Sequence, residues 1–292
     1  MTSILVTGSS GQLGNELKDI SKLYSDFFNF YFKDIEDLDI TNYDQLDGFL
    51  KQNNINFLIN CAAYTLVDKA EEDQKKAFLI NQTGAKNLAL VCQKYKIKLV
   101  HISTDYVFDG NSSVPYVEND KTNPNSVYGH SKLKGEEEIL SECSEYLIIR
   151  TSWLYSVYGN NFVKTIIRLG KERDQLSVVF DQVGSPTNAE DLALALIQIV
   201  SKIEIGKVKF KSGIYHFSNE GICSWYDFAI KIHKLSGISC DIIPVETKDY
   251  PTLAKRPQYS VLDISKIKLD FGIEIDHWEK AIERCISKML MS

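Results

Sequence analysis

A chain of 292 residues, 44% hydrophobic and 25% charged, is long enough to bury a real core in one large domain or two moderate ones. Its 33 basic against 39 acidic residues give a net charge of -6, which argues against a nucleic-acid or anionic-membrane partner while leaving room for a local phosphate pocket. No apolar window approaches the ~20 residues of a membrane span, Met1 runs straight into a strand pattern without a secretion signal, and the six cysteines show neither C-x-x-C nor metal-ligand spacing, so reduced thiols and a cytoplasmic location are expected.

In chain order, "SILVTG" (3–8) reads as a buried strand, followed by a helix over about 12–23. "NFYFK" (29–33) is a second strand, and "TNYDQLDGFLKQ" (41–52) a helix with Thr41 as the expected N-cap. "INFLINCAA" (55–63) is a third strand. A helical stretch over 68–95, broken near Asp73, leads to a fourth strand, "IKLVHIST" (97–104). Residues 109–126 form a long loop rich in Gly, Pro, Asn and Ser, of a length that usually signals function or disorder. A helix carrying Tyr128 and a fifth strand, "SEYLIIRTSW" (144–153), complete this half. Such alternation predicts an α/β, Rossmann-type doubly wound parallel sheet. The second half predicts helices near 161–171, 189–201, 225–235 and 277–290, with short strands near 177–180 and 214–217. The division expected is 1–150 for a dinucleotide and 151–292 for a smaller mixed α/β substrate lobe, some of whose segments return to the first domain.

"TGSSGQLG" sets Gly8, Gly11 and Gly14 between the first strand and first helix, with Gln12 and Leu13 at the helix start. Glycine permits the tight turn and the close approach of a pyrophosphate, and the helix N-terminus offers N–H groups and the positive end of its dipole. The bland reading is a closely packed strand–helix turn. An acidic residue about 20 positions on should hold the adenosine ribose, and Asp34 fits, with Asp39 and Ile40 just beyond. The alternative for Asp34 is a solvated turn carboxylate. Lys33 beside it leaves NADH against NADPH open.

Reacting groups belong beyond the carboxyl ends of the strands, where Ser103, Thr104 and Asp105 fall. Tyr128 and Lys132, four apart on a helix, share one face with Cβ atoms ~5–6 Å apart. A carbonyl that accepts hydride needs a proton. A phenol is a usable acid, and an adjacent ammonium would lower its pKa toward working pH. Thr104 would bear part of the charge on the same oxygen, and Lys132 would have donors to spare for the nicotinamide ribose. The bland reading is an exposed i,i+4 pair.

These motifs, T-G-x-x-G-x-x-G, Ser103-Thr104-Asp105 and Tyr128-x-x-x-Lys132, resemble the extended short-chain dehydrogenase/reductase superfamily. "NCAAYTLVDKAE" (60–71), "STDYVFDG" (103–110), "SVYGHSK" (126–132), "RTSWLY" (150–155), "GNNFVKTIIRL" (159–169), "DQVGSPTNAEDLA" (181–193) and "YPTLAKRPQYSVLD" (250–263) narrow the resemblance to its dTDP-4-dehydrorhamnose reductase family, in order along nearly the whole chain. The resemblance implies NAD(P)H-dependent reduction of a C4 keto group on a dTDP-linked 4-keto-6-deoxyhexose, giving dTDP-L-rhamnose, with Ala62, Ala63, Tyr64 and Ser103 near the cofactor and Asp105, Tyr106 and Phe108 near the sugar. It further implies Mg2+ at Glu190 and Asp191 with Glu16, although hydride transfer needs no metal and helix-end electrostatics is the better explanation of the acidic pair. Two departures stand out: Tyr64 replaces a frequent histidine, and His130-Ser131 fills the tyrosine–lysine spacer.

Trp153 offers a broad face for a sugar or fills a core. Asn161 binds a phosphate or sugar hydroxyl or caps a helix. Arg256 suits a diphosphate or a surface ion pair. Asn81 serves cofactor or water, or a buried helix hydrogen bond. The five histidines form no ligand cluster, and none is assigned to catalysis. Asp105-Tyr106 lacks the second carboxylate a 4,6-dehydratase needs, whereas an epimerase or a non-catalytic nucleotide-binding subunit of the same fold stays open. A homodimer is admitted but not fixed by the sequence.

Overall fold

The computed structural model describes residues 1–291. Six parallel strands form the central sheet. β1 (Thr2–Thr7), β2 (Phe28–Lys33), β3 (Phe57–Asn60), β4 (Lys98–Thr104) and β5 (Tyr146–Thr151) come from the first half, and Gly213–Phe217 joins as an edge strand beside β5. Spatially the order is Gly213–Phe217, β5, β4, β3, β1, β2.

Side chains on successive strand residues point to opposite faces, so both sides of the sheet are apolar. On one face Ile4, Val6, Ile59 and Ile149 pack beneath α1 (Gln12–Ser21) and a later helix over Ala189–Glu204. On the other, Leu5, Leu58, Leu99 and Ile148 pack beneath α2 (Tyr43–Gln52), the helix Gly84–Tyr95 and the helix Val127–Glu142. The edge strand, with Tyr215 and Phe217 in the first of these cores, extends the sheet with second-half residues.

The predicted break at Asp73 separates α3 (Val67–Glu72) from α4 (Gln74–Phe78), and the Asp73 side chain caps the second of these by accepting from Lys76 N. Beyond α4 a π-helical turn, Leu79–Thr83, precedes α5 (Gly84–Tyr95). The cap of α2 is Asn42 rather than Thr41: Asn42 Oδ1 accepts from Gln45 N, whereas Thr41 bonds the Asp39 carboxylate. α6 (Val127–Glu142) is capped by Ser126.

A second core gathers Tyr155, α7 (Phe162–Glu172), the strand Gln175–Val179, α9 (Trp225–Ser236) and α11 (Trp278–Met291). The strand Asp241–Val245, which pairs parallel with Gln175–Val179, and α10 (Ser265–Phe271) are absent from the sequence reading. α8 (Ala189–Glu204) packs against α1 and ties this half to the sheet. The 109–126 loop is tethered by Tyr116, which bonds Val261 and Asp263 through its backbone. All six cysteines are free, and no helix among the described residues is long and apolar enough to cross a membrane.

Candidate active site

β1 lies between β2 and β3, so the connections leaving β1 and β3 diverge, and a crevice opens beyond the carboxyl ends of these strands. Gly8 leaves β1 with φ +67°, and a Cβ there would lie 2.4 Å from Ala62 N at the end of β3. Only glycine permits both that conformation and that approach. Gly11 occupies the N-cap of α1 without a side-chain cap, which leaves the N–H groups of Gln12, Leu13 and Gly14 without intrahelical partners at the helix end that adjoins the crevice. Their contribution comes through the backbone: the Leu13 side chain is core, and the Gln12 carboxamide accepts from Asn161. Substituting Gly8 with alanine is expected to lower dinucleotide affinity at least about tenfold, read by titration calorimetry, because the left-handed conformation alone costs an L-residue roughly 1–2 kcal/mol before the clash is counted.

The crevice is a cavity of about 360 Å³. Asp34 stands at its rim. Burial works against its charge, but amides of Ile35 and Ser10, each 2.7 Å from a carboxylate oxygen, hold its pKa below the usual range. Each oxygen keeps a lone pair for a ribose hydroxyl. Asp39, Ile40, Ala62 and Ala63 line the same cavity. So do Ile35, Leu38, Cys61 and Ile80, apolar walls that the sequence reading did not name. Cys61 was findable, since it immediately precedes Ala62. This donor set and shape fit a dinucleotide.

Thr104 ends β4, its Oγ1 donating to Asp105 Oδ1 (2.9 Å) and accepting from Tyr106 N (3.2 Å). Tyr128, in the first turn of α6, is buried with Tyr64, Ala70 and Ala77, and meets the Tyr106 ring edge-on at 5.5 Å. Gly129 makes this proximity possible, because a Cβ there would fall 2.2 Å from Tyr106 O. Asn81, in the π-helical turn, accepts from Tyr64 N and donates to Tyr64 O and Ser131 Oγ. It is a buried brace between the β3 exit and α6, and no ligand-binding capacity is left over on its amide nitrogen.

The electrostatics differ from the sequence expectation. Burial dominates at Tyr128 and pushes its hydroxyl up, with Asp105 and Tyr106 adding to the rise and Thr104 opposing it. No lowering by Lys132 is present. The lysine Nζ instead reaches back to Ile102 O (2.7 Å) and His101 Nε2 (3.2 Å) on β4. Burial lowers the Lys132 pKa to about 8, against the raising effects of Glu136 and Cys61. Asp105 is raised to about 6 by burial, with the Ser260 and Thr104 hydroxyls resisting, and its Oδ2 has no hydrogen-bond partner.

Several candidates are committed elsewhere. Ser103 Oγ donates to Glu136 Oε1 (2.5 Å), away from the dinucleotide cavity. Phe108 is 2% exposed, stacked on Tyr116 at 4.3 Å with the Arg150 guanidinium 5.0 Å from its ring centre, so it anchors the 109–126 loop and offers no face to a sugar. Asn161 caps α7, accepting from Lys164 N and donating to Gln12 and two backbone carbonyls. Arg256 pairs with Asp68 (2.7 Å) and reaches Tyr106 Oη (3.3 Å), half-buried within reach of the site. Trp153 keeps a strained backbone, φ 49°, and one ring face is covered by Trp225 at 3.6 Å. Trp225 opens α9 with "WYDF", an aromatic run the sequence reading passed over.

Glu16, Glu190 and Asp191 do not fit a metal. Glu16 accepts from Ser156 Oγ, Glu190 pairs with Lys288, and Asp191 pairs with Arg284 and Asn219. Cations and hydroxyls already satisfy these carboxylates, and among the described residues no group of three His, Cys, Asp or Glu could hold an ion.

Residues 1–291 match the family model described as RmlD substrate binding domain. The chain is 44% identical to a dTDP-4-dehydrorhamnose reductase of Aggregatibacter actinomycetemcomitans, over 97% of this chain and 98% of that one. A crystal structure of a dTDP-4-dehydrorhamnose reductase from Clostridium acetobutylicum superposes with a TM-score of 0.93 at 42% identity, covering 99% of this chain and 100% of its own. A dTDP-4-dehydrorhamnose reductase from Bacillus anthracis, solved in complex with NADP, gives 0.92 at 40% identity with the same coverage.

Proposed function

The chain belongs to the RmlD substrate binding domain family, and from that premise we propose that it reduces the C4 keto group of dTDP-4-dehydro-L-rhamnose to dTDP-L-rhamnose, a nucleotide-sugar biosynthetic step driven by NADPH or NADH. The observation that carries the reading is the gathering of a buried phenol, a hydroxyl and an amine at the carboxyl end of β4, with Lys132 beside Cys61 on the wall of the dinucleotide cavity.

When bound, the reduced nicotinamide supplies hydride to C4. The chain's own residues deal with the oxygen. Tyr128, held protonated by burial and by the negative charge of Asp105, is loaded as an acid and gives its proton as charge develops on O4. Thr104 supplies a second polar contact to that oxygen. The unpartnered Asp105 Oδ2 accepts a sugar hydroxyl, the donor it lacks. Arg256 exchanges Asp68 for the diphosphate, a better match for a guanidinium fork. Trp153, with Trp225 stacked on one face and the Gly184 backbone against the other, shapes the wall of the sugar site and offers it only a ring edge.

Asp34 favours a ribose with a free 2′-hydroxyl, whereas the Bacillus anthracis relative was solved with NADP. Both dinucleotides are therefore offered in one absorbance assay with dTDP-4-dehydro-L-rhamnose. Stoichiometric oxidation of at least one is expected. Because the acidic cluster is already paired with Lys288 and Arg284, a chelator should leave the rate unchanged. Absence of net oxidation with either dinucleotide would overturn the assignment, and a chelator-sensitive rate would restore a metal.

A further inference from the structure

A row of buried polar side chains runs behind Lys132, and the reduction itself does not use it. Thr7 Oγ1 lies 2.7 Å from Asn60 Oδ1, Ala62 N 3.1 Å from the same oxygen, Asn60 Nδ2 3.0 Å from His101 Nδ1, and His101 Nε2 3.2 Å from Lys132 Nζ. His101 and Asn60 are each 1% exposed.

The direction of every bond in this row follows from one group that cannot be reversed. Ala62 N–H is a backbone donor, so the Asn60 atom it meets is the oxygen. The other amide atom, Nδ2, is then the one facing His101, and it donates to Nδ1. A neutral imidazole whose Nδ1 accepts carries its hydrogen on Nε2. That hydrogen points at Lys132 Nζ, which can accept it only through a lone pair. An ammonium has none; a neutral amine has one, and still donates to Ile102 O at 2.7 Å. With a charged Lys132 the imidazole would need the other tautomer, Nδ1–H would oppose Asn60 N–H, and turning the amide would leave Ala62 N–H against an NH2 group. A doubly protonated imidazole is disfavoured by burial, which lowers the His101 pKa, and beside a charged Lys132 it would be disfavoured further.

We propose that His101 is a positioning residue that donates from Nε2 to the neutral amine of Lys132 and so lowers the pH at which Lys132 loses its proton in the protein free of dinucleotide. This rests on the reading of Tyr128 as proton donor: a Lys132 that sheds its proton more readily draws the phenol less toward phenolate, which helps keep the acid loaded until the cofactor arrives. The charged and titratable groups around Nζ are His101 on β4, Cys61 after β3, and Glu136 on its own helix, Glu136 in turn being paired with Arg150 of β5; Tyr128, one turn back on that helix, makes no contact with Nζ.

The test is direct titration of the full-length chain with lysine labelled by 13C at Cε, Lys132 being assigned through the signal lost in Lys132→Met. The parent is expected to titrate near pH 8. In His101→Gln, whose amide oxygen accepts from an ammonium, the midpoint should rise by about one pH unit, the worth of one hydrogen bond at a buried group. His101→Phe, which keeps a ring and deletes the donor, should shift it the same way. A merely structural histidine would change the melting temperature without moving the midpoint. A parent Lys132 that stays charged up to about pH 10, its ordinary range, or a midpoint unmoved in both variants, overturns the proposal. No sugar enters this measurement, so its failure is separate from failure of the turnover assay.

Discussion

Tyr128→Phe is expected to lower kcat by about 10²–10⁴-fold, the usual worth of a positioned general acid, while dinucleotide and dTDP-sugar affinities stay within a few-fold. The substitution deletes one oxygen and little else. The ring remains among Tyr64, Ala70 and Ala77 and keeps its edge-on contact with Tyr106. Gly129 still admits Tyr106 O, and Asn81 still braces α6 against the β3 exit. What disappears is the proton that burial and Asp105 keep on the hydroxyl. Single-turnover oxidation of NADPH separates this loss from slow product release. An unchanged kcat would remove Tyr128 from the mechanism. Lost binding with an intact melting temperature would make it a binding group. A parent chain that binds both ligands without turnover would be the regulatory subunit that the sequence left open.

How much of this was legible in the sequence follows the range of the interactions. β1 through β5 and their helices repeat apolar residues at periods of two and 3.6, a local signal. The glycine turn and the Tyr128–Lys132 pair are local as well. The strand Asp241–Val245 was not seen because it contains Pro244 and is stabilised by pairing with Gln175–Val179, over 60 residues away. Thr41 and Asn42 are both competent caps, and the choice was made by Asp39, which engages Thr41 first. The π-helical turn is invisible as a pattern because 74–95 reads as one helix, yet it sets Asn81 beneath Tyr64.

The site shows the same division. Residue types predicted that a phenol, a hydroxyl and an amine would meet; they did not predict which neighbour each would choose. Phe108 sits in a motif with residues expected to face the substrate, but its side chain turns under the loop to Tyr116. The resemblance admitted a metal at the acidic triad, but Lys288 and Arg284, from the last helix, pair with its carboxylates instead. His101 looked like one more strand residue, because its partner Asn60 is 41 positions away.

Glu136→Ala is expected to cost about 3–5 kcal/mol of folding free energy, the penalty for stranding one member of a buried ion pair. Glu136 and Arg150 have side chains 1% and 3% exposed. Arg150 bonds both carboxylate oxygens, through Nε at 3.0 Å and Nη2 at 2.7 Å, while Ser103 adds a third donor and the Phe108 ring lies against the guanidinium. Arginine cannot shed its proton, so removing the carboxylate leaves a desolvated charge with only the weak bond to Glu118 O at 3.4 Å. Against a typical stability of about 5–15 kcal/mol, that loss should lower the urea midpoint sharply at constant m. Glu136→Leu with Arg150→Met, which removes both charges, should recover much of the deficit, since the pair's attraction largely offsets its own desolvation. A single-variant loss below about 1 kcal/mol would mean that the pair is not what anchors α6 to β5. The isosteric Glu136→Gln, milder because it keeps an acceptor, carries the argument to the lysine. Glu136 raises the Lys132 pKa against burial, so removing its charge and baring Arg150 should move the Lys132 midpoint below about 8, opposite in sign to His101→Gln. Two substitutions on opposite sides of one amine, shifting it in opposite directions, would tie its charge to both neighbours; shifts of the same sign would break that link.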